Sequence, residues 1–466
     1  MTLIKNSIHT VKIEDITNLG FGVARIFGNV VFVSGAVTGD VIECKIIKVG
    51  RGYSVGKAER IIERSGLFTE ARCTVSACRS CAYKNIEYAE EIRIKTEHVR
   101  QEMKKAGLHS INVMQATPSP CQSEYRNKAQ YPIANGKDGV VIGFYAPKSH
   151  RVTEAACCPI SPKIFSSIIE LLRNFLNKYK ISAYDEELGR GLMRHVYLRR
   201  SECEGEIVLT LVINGDGIPH AEELVSTLTE SYPEIVGILI NKNKASTNVI
   251  LSDEYETLFG RNYIYDTLGG VRLKISAPAF YQVNHAVAEL IYKKAKELAD
   301  LKRSDTLLDL YCGAGSIGLS MADEAGEVIG IEIVESAVEC AKENAKENGI
   351  TNAEFYAGDA KNTEKMLDRA TALRGRPINP DVVILDPPRA GSSEELLRFI
   401  SKLGPRKIVY VSCSPQTLAR DIRILEDLGF TADTVYPMDM FPMTGHVESV
   451  VCLTRRLDNE LRERMN

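Results

Sequence analysis

Residues 1 to 62 alternate apolar and polar positions in short segments. HTVKIEDI, VARIFGNVVFVSG, DVIECKIIKVG and YSVGKAERII show this alternation, and turns that contain glycine separate them. Alternation of period two is typical of strands with one buried face. The pattern therefore predicts a small β-barrel or sandwich as the first domain, at residues 1–62.

Residues 63–275 mix helical and strand patterns and predict a central α/β domain. KIFSSIIELLRNFLNKY has helical spacing, whereas VVIGFYAP, EIVLTLVI and VGILIN are apolar runs of strand length. Basic and aromatic residues interleave in EYRNKAQYP, FYAPKSHRV and RHVYLRR, and in the first domain Arg51, Tyr53 and Lys57 lie close together. Small barrels of the OB type often bind nucleic acid through such faces. These clusters are candidate RNA contacts, although solvated surfaces also carry them.

The last third, residues 276–466, alternates strand, turn and helix. TLLDLYCGAGSIGLSMADEAGEVIGIEIVESAVECAKENA reads as the opening of a doubly wound, Rossmann-like α/β sheet. The glycine-rich turn from Gly313 matches G-x-G-x-x-G, and Glu332 ends the second strand where a carboxylate would bind ribose hydroxyls. This pattern also fits a nicotinamide-dependent oxidoreductase. Asp309, four residues before the first glycine, favours an S-adenosylmethionine site instead.

Reactive side chains follow the later strands. DVVILDPPRAG ends in Asp386, whose orientation two prolines fix, and KIVYVSCSPQTLARD places Cys413 at the start of a helix. The helix terminus favours a thiolate, with a buried apolar thiol as the alternative. Asp359 in GDA is a candidate adenine contact, and Glu448 precedes a final strand, with an exposed loop acid as its alternative. Ligands of such sheets bind at the carboxyl ends of the strands, so we expect one crevice.

Three cysteines lie within one stretch of nine residues in the central region. Cys73, Cys78 and Cys81 form C-x4-C-x2-C, and Cys157 or Cys158 offers a fourth thiolate. Soft thiolates at this spacing suit an iron–sulfur cluster or structural zinc. Enzymes that make radicals from S-adenosylmethionine typically have C-x3-C-x2-C and an open iron. The longer spacing and the fourth cysteine favour a closed structural cluster over an open one or over unligated thiols.

Composition sets the remaining bounds. The 466 residues are enough for about three domains of ~100–200 residues each. The 44% hydrophobic and 26% charged residues are those of an ordinary soluble protein, and the sequence shows neither a signal peptide nor an apolar run of ~18 residues. We expect a cytoplasmic protein without a membrane partner. Twelve cysteines in a reducing compartment indicate thiol chemistry or metal binding, whereas a net charge of −3 does not decide for or against nucleic acid.

The combined motifs resemble the RNA uracil-5 methyltransferases over nearly the whole chain. The N-terminal segment resembles a TRAM domain, and the C-terminal half carries FYQVN, LDLYCGAGSIGL, LDPPRAG, SCSPQTLARD and MFPMTGHVES in the order of that family. The resemblance implies that Cys413 is the nucleophile and Glu448 the base. It implies cofactor contacts at Gln282, Tyr311, Glu332 and Asp386, besides the Gly313 loop. It also implies that a [4Fe-4S] cluster, with zinc as the alternative, binds Cys73, Cys78, Cys81 and, because it precedes Pro-Ile, Cys158.

The implied reaction is methylation of carbon 5 of a uridine by S-adenosylmethionine. Attack of Cys413 on carbon 6 would raise the electron density at carbon 5, and Glu448 would remove the carbon-5 proton. The resemblance favours 23S ribosomal RNA as substrate, with transfer RNA as the alternative, and a base flipped out of its stack. A non-catalytic RNA-binding protein and an oxidoreductase are the other readings. We expect the protein to act as a monomer.

Overall fold

The computed structural model describes residues 2–71, 73, 75, 78, 80–147, 149–154, 157–246, 249–358, 371–372 and 374–456. Asp359, the predicted adenine contact, lies outside the described residues. Within these ranges the strands form a six-stranded, a seven-stranded and an eight-stranded sheet and one hairpin. No helix in the described part of the chain has both the length and the apolar character needed to cross a bilayer.

The six-stranded sheet is built from the alternating segments of the N-terminal region. Its strands are β1 (Ile8–Lys12), β2 (Asp15–Ile16), β3 (Gly22–Ile26), β4 (Asn29–Ser34), β5 (Val41–Lys48) and β6 (Ser54–Glu63), in the order β1-β5-β6-β4-β3-β2. Ile42, Cys44 and Ile46 of β5 all point into its core. The sheet therefore buries the face that the alternation predicts, and we refer to it as the barrel.

The seven-stranded sheet forms the middle of the molecule. Its strands are β8 (Lys128–Gly136), β9 (Gly139–Tyr145), β10 (Val152–Glu154), β11 (Met193–Arg200), β12 (Ile207–Ile213), β13 (Ile235–Lys242) and β14 (Tyr255–Gly260), in the order β10-β9-β8-β11-β12-β13-β14. Helices α2 (Lys163–Lys178) and α3 (Ala221–Ser231) share its hydrophobic core through Phe165, Leu172 and Leu224. We call this unit the central sheet.

The eight-stranded sheet carries the glycine-rich turn and the reactive groups. Its strands are β7 (Asn112–Val113), β17 (Thr306–Leu310), β18 (Glu327–Glu332), β19 (Ala353–Ala357), β20 (Val382–Leu385), β21 (Lys407–Ser412), β22 (Phe430–Met438) and β23 (Glu448–Arg455). Its helices are α4 (His285–Ala299), α5 (Ser316–Leu319), α6 (Glu335–Glu347), α7 (Glu394–Leu403) and α8 (Pro415–Asp427). The order is β19-β18-β17-β20-β21-β23-β22-β7.

The strand order of the eight-stranded sheet reverses at β17, because β18 and β19 lie on one side of it and β20 and β21 on the other. Strands β17 to β21 are parallel, and β23 is antiparallel and lies between β21 and β22. In open α/β sheets the ligand crevice lies at such a switch point, outside the carboxyl ends of the strands. The doubly wound sheet is thus as predicted, and it brings the ends of β17, β20 and β21 to one edge.

Three elements of the predicted central region pack with the eight-stranded sheet instead. Strand β7 pairs in parallel with β22, and α1 (Tyr88–Lys105) buries Val99 and Met103 in the same core. The hairpin of β15 (Tyr263–Leu268) and β16 (Val271–Ser276) shares a core with α4. The packing differs from the predicted division because an apolar stripe on a helix does not indicate which sheet it covers.

Candidate active site

Cys413 lies at the junction between β21 and α8. Strand β21 is buried up to Ser412, and α8 begins at Pro415, which is favoured in a first helical turn. Ser414 is the N-cap residue, and its hydroxyl accepts a hydrogen bond from the Thr417 amide. The half-buried thiol is therefore fixed at the edge of the sheet where the ligand crevice is expected.

Glu448 lies opposite Cys413 on the neighbouring strand. Ser412 of β21 pairs with Ser449 of β23 in the antiparallel register, so Cys413 and Glu448 are opposite one another one position further along. Glu448 is only 7% exposed. The alternative of an exposed loop acid is therefore wrong, and the acid and the thiol belong to one site.

Burial and neighbouring charges raise the pKa values of both side chains. Burial and the carboxylate of Asp386 raise the pKa of Glu448 to about 8, while Arg389 opposes the shift. Burial, Glu448 and Asp386 raise the pKa of Cys413 to about 11, and Arg389 again acts in the opposite direction. Burial and the two carboxylates therefore oppose the thiolate that the helix terminus is predicted to favour.

Acidic side chains also shape the crevice beneath the glycine-rich turn. Burial raises the pKa of Asp386, the residue after β20, to about 7, although the residue as a whole is only partly buried. Asp309 accepts a hydrogen bond from the Gly318 amide at 2.9 Å, and its pKa is also raised to about 7, mainly by burial. Glu332 accepts from the Gly313 amide at 3.1 Å. The predicted acids and the turn are thus brought together.

Backbone conformation at the turn is unusual. Gly315 has a φ of +80°, and a Cβ there would lie 2.9 Å from the ring of Phe355, so only glycine fits. Tyr311 has a φ of 65°, which is uncommon outside glycine and costs conformational energy. Such strain is concentrated at functional sites, and Tyr311 is one of the predicted cofactor contacts.

Gln282 lies in the segment between β16 and α4, and Asn127 holds this segment. The Asn127 amide side chain donates to the Gln282 carbonyl at 2.8 Å, and its backbone NH donates to Val283 at 2.9 Å. Phe280, in the same segment, is 71% exposed. The sequence analysis did not single out Asn127, which stands within a predicted RNA-contact cluster and is distinguished only by its burial.

A cleft of about 740 Å³ opens beside the thiol. The cleft is lined by Cys413, by Phe32 from the barrel, by His98 and Gln101 from α1, and by Arg389 and His446 from loops that connect strands of the eight-stranded sheet. The thiol is thus reached from the space between the barrel and the eight-stranded sheet.

Five cysteines, Cys73, Cys78, Cys81, Cys157 and Cys158, line a second, separate cavity of about 260 Å³, as does Arg126. Burial and the neighbouring thiols Cys158, Cys78 and Cys73 raise the pKa of Cys81 to about 12. Cys157 also borders the cavity but is exposed. The structure therefore brings together the four predicted ligands, away from Cys413.

One group of possible metal ligands stands out among the described residues. Cys203, Asp266 and His285 bring potential ligand atoms within 4.8 Å of one another.

Asp266, the carboxylate of this group, has a structural role. Asp266 accepts hydrogen bonds from the amides of Glu202 and Cys203 at 3.0 and 2.9 Å and from the Tyr281 hydroxyl at 3.0 Å. Its carboxylate oxygens are already engaged and are poor candidates for metal binding.

Comparison with known proteins identifies related sequences along nearly the whole chain. The family profile described as tRNA (uracil-5-)-methyltransferase matches residues 87–456, and the TRAM domain profile matches residues 5–58. A Halalkalibacterium halodurans protein described as an uncharacterized RNA methyltransferase is 39% identical over 453 residues, 96% of this chain and 97% of its own. A similarly described Clostridium tetani protein is 38% identical over 451 residues, 97% of each chain.

A solved structure shares the complete architecture. It is the tRNA (uracil-54, C5)-methyltransferase of Pyrococcus abyssi in complex with S-adenosyl-L-homocysteine. The TM-score is 0.76 with 25% sequence identity, and the match covers 96% of this chain and 99% of the archaeal one.

Proposed function

The chain belongs to the tRNA (uracil-5-)-methyltransferase family, and on that premise we propose that it methylates carbon 5 of an RNA uridine through a covalent adduct with Cys413. The observation that carries this proposal is the pairing of a half-buried thiol and a buried acid across β21 and β23, beside the crevice of the doubly wound sheet. Family membership favours this reaction over the oxidoreductase reading.

Cys413 acts as the nucleophile. Its thiolate bonds to carbon 6 of the uracil, and the electrons of the 5,6 double bond move to the oxygen at carbon 4, which makes carbon 5 nucleophilic. S-adenosylmethionine supplies the methyl group that carbon 5 accepts, leaving S-adenosylhomocysteine. Since Arg389 lowers the pKa of Cys413, positive charge near the thiol favours the reactive form.

Glu448 acts as the general base of the last step. Its carboxylate takes the proton from carbon 5, the double bond re-forms, and the bond between carbon 6 and Cys413 breaks. A pKa raised to about 8 makes Glu448 a stronger base than an ordinary glutamate. A positioned general base contributes roughly 10²–10⁴-fold to rate.

The residues of the crevice fit the cofactor. Gln282, Tyr311, Gly313, Glu332 and Asp386 would hold S-adenosylmethionine, and the glycines of the turn let the backbone approach a ligand closely. Asp309 supports this fit, because its buried Oδ1 atom has no hydrogen-bond partner among the described residues.

The cysteine cavity fits a [4Fe-4S] cluster. Cys73, Cys78, Cys81 and Cys158 would hold it, and four protein ligands would leave no iron open, so its role is structural. The nearby cations Arg126 and Lys128 suit the negative charge of a thiolate-bound cluster.

The substrate is RNA, and we propose 23S ribosomal RNA in accordance with the sequence resemblance. The similar archaeal enzyme, which acts on transfer RNA, makes transfer RNA the second candidate. A stacked base cannot reach a thiol at the edge of a sheet, so the target uridine is flipped into the cleft beside Cys413.

The decisive experiment supplies methyl-labelled S-adenosylmethionine and separate pools of unmodified ribosomal and transfer RNA, followed by nucleoside analysis. We expect 5-methyluridine from one pool, no product from Cys413→Ala, and a covalent RNA adduct that accumulates with Glu448→Gln because elimination needs the base. Full activity of Cys413→Ala would refute the covalent mechanism.

A further inference from the structure

A buried ion cluster joins α1 to the segment that precedes Glu448. Lys95 is wholly buried and donates to Asp439 at 2.5 Å and to Glu91 at 2.6 Å. The Tyr88 hydroxyl donates to the second oxygen of Asp439 at 2.8 Å. We call Tyr88, Lys95 and Asp439 the α1 hub. None of its members was singled out by the sequence analysis.

The hub fixes the end of β22 and the loop after it. Asp439 directly follows Met438, and Met438 is the residue that pairs with Glu448 in the sheet. Lys95 also donates to the Phe441 carbonyl at 3.1 Å. Glu91 accepts from the Met443 amide at 2.8 Å, and Met443 has an unfavourable φ of 69°. The strand position opposite Glu448 therefore depends on α1.

The same hub continues to the cofactor side of the crevice. The Tyr88 hydroxyl accepts from the Ser119 amide at 2.7 Å, and the Ser119 hydroxyl accepts from the Asn284 side chain at 3.2 Å. That side chain also donates to the Met440 carbonyl at 3.0 Å. Asn284 stands two residues after Gln282, so one chain of hydrogen bonds joins both sides of the site.

We propose that the α1 hub positions the base Glu448 and the cofactor-binding segment around Gln282 relative to each other. The inference rests on the proposed function for the roles of those two residues. Burying ions costs free energy that the ion pair often does not recover, so stability alone is a weak explanation of the hub. Misplacing a catalytic group by about 1 Å can cost ~10²-fold in rate, which makes a rigid link valuable.

Tyr88→Phe tests the proposal with the smallest change, since it removes one hydroxyl and keeps the ring. We expect the dissociation constant of S-adenosylhomocysteine, measured by calorimetry, to rise at least threefold. At saturating cofactor we expect kcat to fall about tenfold. Tyr265→Phe is the matched control, because it removes a tyrosine–carboxylate bond to Glu347 in the β15–β16 hairpin and leaves both quantities unchanged.

A double-variant cycle tests the path. Ser119→Ala removes the hydroxyl that Asn284 contacts, and we expect its effect on the dissociation constant to be non-additive with that of Tyr88→Phe. Additive effects, or a loss of thermal stability with kcat and the dissociation constant unchanged, would overturn the proposal. If Tyr88→Phe does not fold, Ser119→Ala alone must weaken binding. Wild-type protein without methyl transfer would refute the proposed function, while the binding measurements would still decide on the hub.

Discussion

At the scale of single residues, the acid–base state of Cys413 depends on side chains from other elements. Glu448 comes from β23, and Asp386 and Arg389 come from the loop after β20. The two acids raise the pKa of the thiol and the arginine lowers it. The local sequence SCSPQ therefore identifies the nucleophile but does not predict its ionisation.

Two variants with opposite effects check these charges. At about pH 9, where Glu448 is ionised and Cys413 is mostly a thiol, Glu448→Gln should lower the thiol pKa and speed its alkylation by iodoacetamide about three- to tenfold. Arg389→Gln should slow alkylation, by a smaller factor because Arg389 is exposed. The measurement is mass spectrometry of the peptide that contains Cys413, as a function of pH. Changes of the same sign in both variants would contradict the assignment.

At the scale of elements, the loop between β22 and β23 is held from two sides. Glu91 and Lys95 of α1 bind its backbone, and Gly445 lies against the barrel, where a Cβ would come within 1.7 Å of the Asn18 carbonyl oxygen. The barrel thus contacts the loop that leads to Glu448, besides lining the cleft.

Gly445→Ala should separate these two surfaces. Because the conflicting atom belongs to the backbone, the variant should lose about 1–3 kcal/mol of stability and most of its methyl transfer. Thermal melting and the RNA assay measure both effects. Gly217→Ala is the control, since a Cβ there meets nothing within 4 Å. Wild-type activity of Gly445→Ala would show that the contact between barrel and loop is dispensable.

The sequence predicts individual helices and strands better than it predicts which of them lie side by side in the fold. Alternation predicted the barrel strands, and β-branched runs followed by helical spacing predicted the strands and helices around Gly313 and Cys413. The insertion of β23 between β21 and β22, which brings Glu448 opposite Cys413, has no local signal. The apolar stripe of α1 is that of an ordinary amphipathic helix. It does not predict that Lys95 is buried against Asp439.

At the scale of the whole molecule, the cysteine cavity connects parts that are distant in sequence. Cys73, Cys78 and Cys81 follow the barrel, while Cys158 follows the edge strand β10 of the central sheet. A cluster bound by all four would therefore join these two units. Cys157, adjacent in sequence but exposed, offers a control at the neighbouring position.

Replacing Cys157 and Cys158 one at a time tests which of them is the fourth ligand. After anaerobic reconstitution with iron and sulfide, wild type and Cys157→Ser should each bind about four iron atoms. Cys158→Ser should bind less and melt at a lower temperature, because the connection between the units is lost. Iron analysis and thermal melting provide the measurements. Loss of iron in Cys157→Ser alone would make Cys157, instead of Cys158, the fourth ligand. Stoichiometric zinc in place of iron would contradict the iron–sulfur cluster.

The bond between Tyr88 and Asp439 joins residues 351 positions apart, and this has a consequence for the order of folding during synthesis. A growing chain leaves the ribosome from its N-terminus, and domains fold largely as they emerge. The barrel and the central sheet pair strands within residues 8–63 and 128–260, so they can form while β22 and β23 are still being translated. Helix α1 and β7 must then wait for partners made much later, and contacts of such separation form slowly. A nascent chain therefore displays its barrel before it holds Cys413 and Glu448 together, and it becomes reactive only after nearly all of these residues have been synthesised.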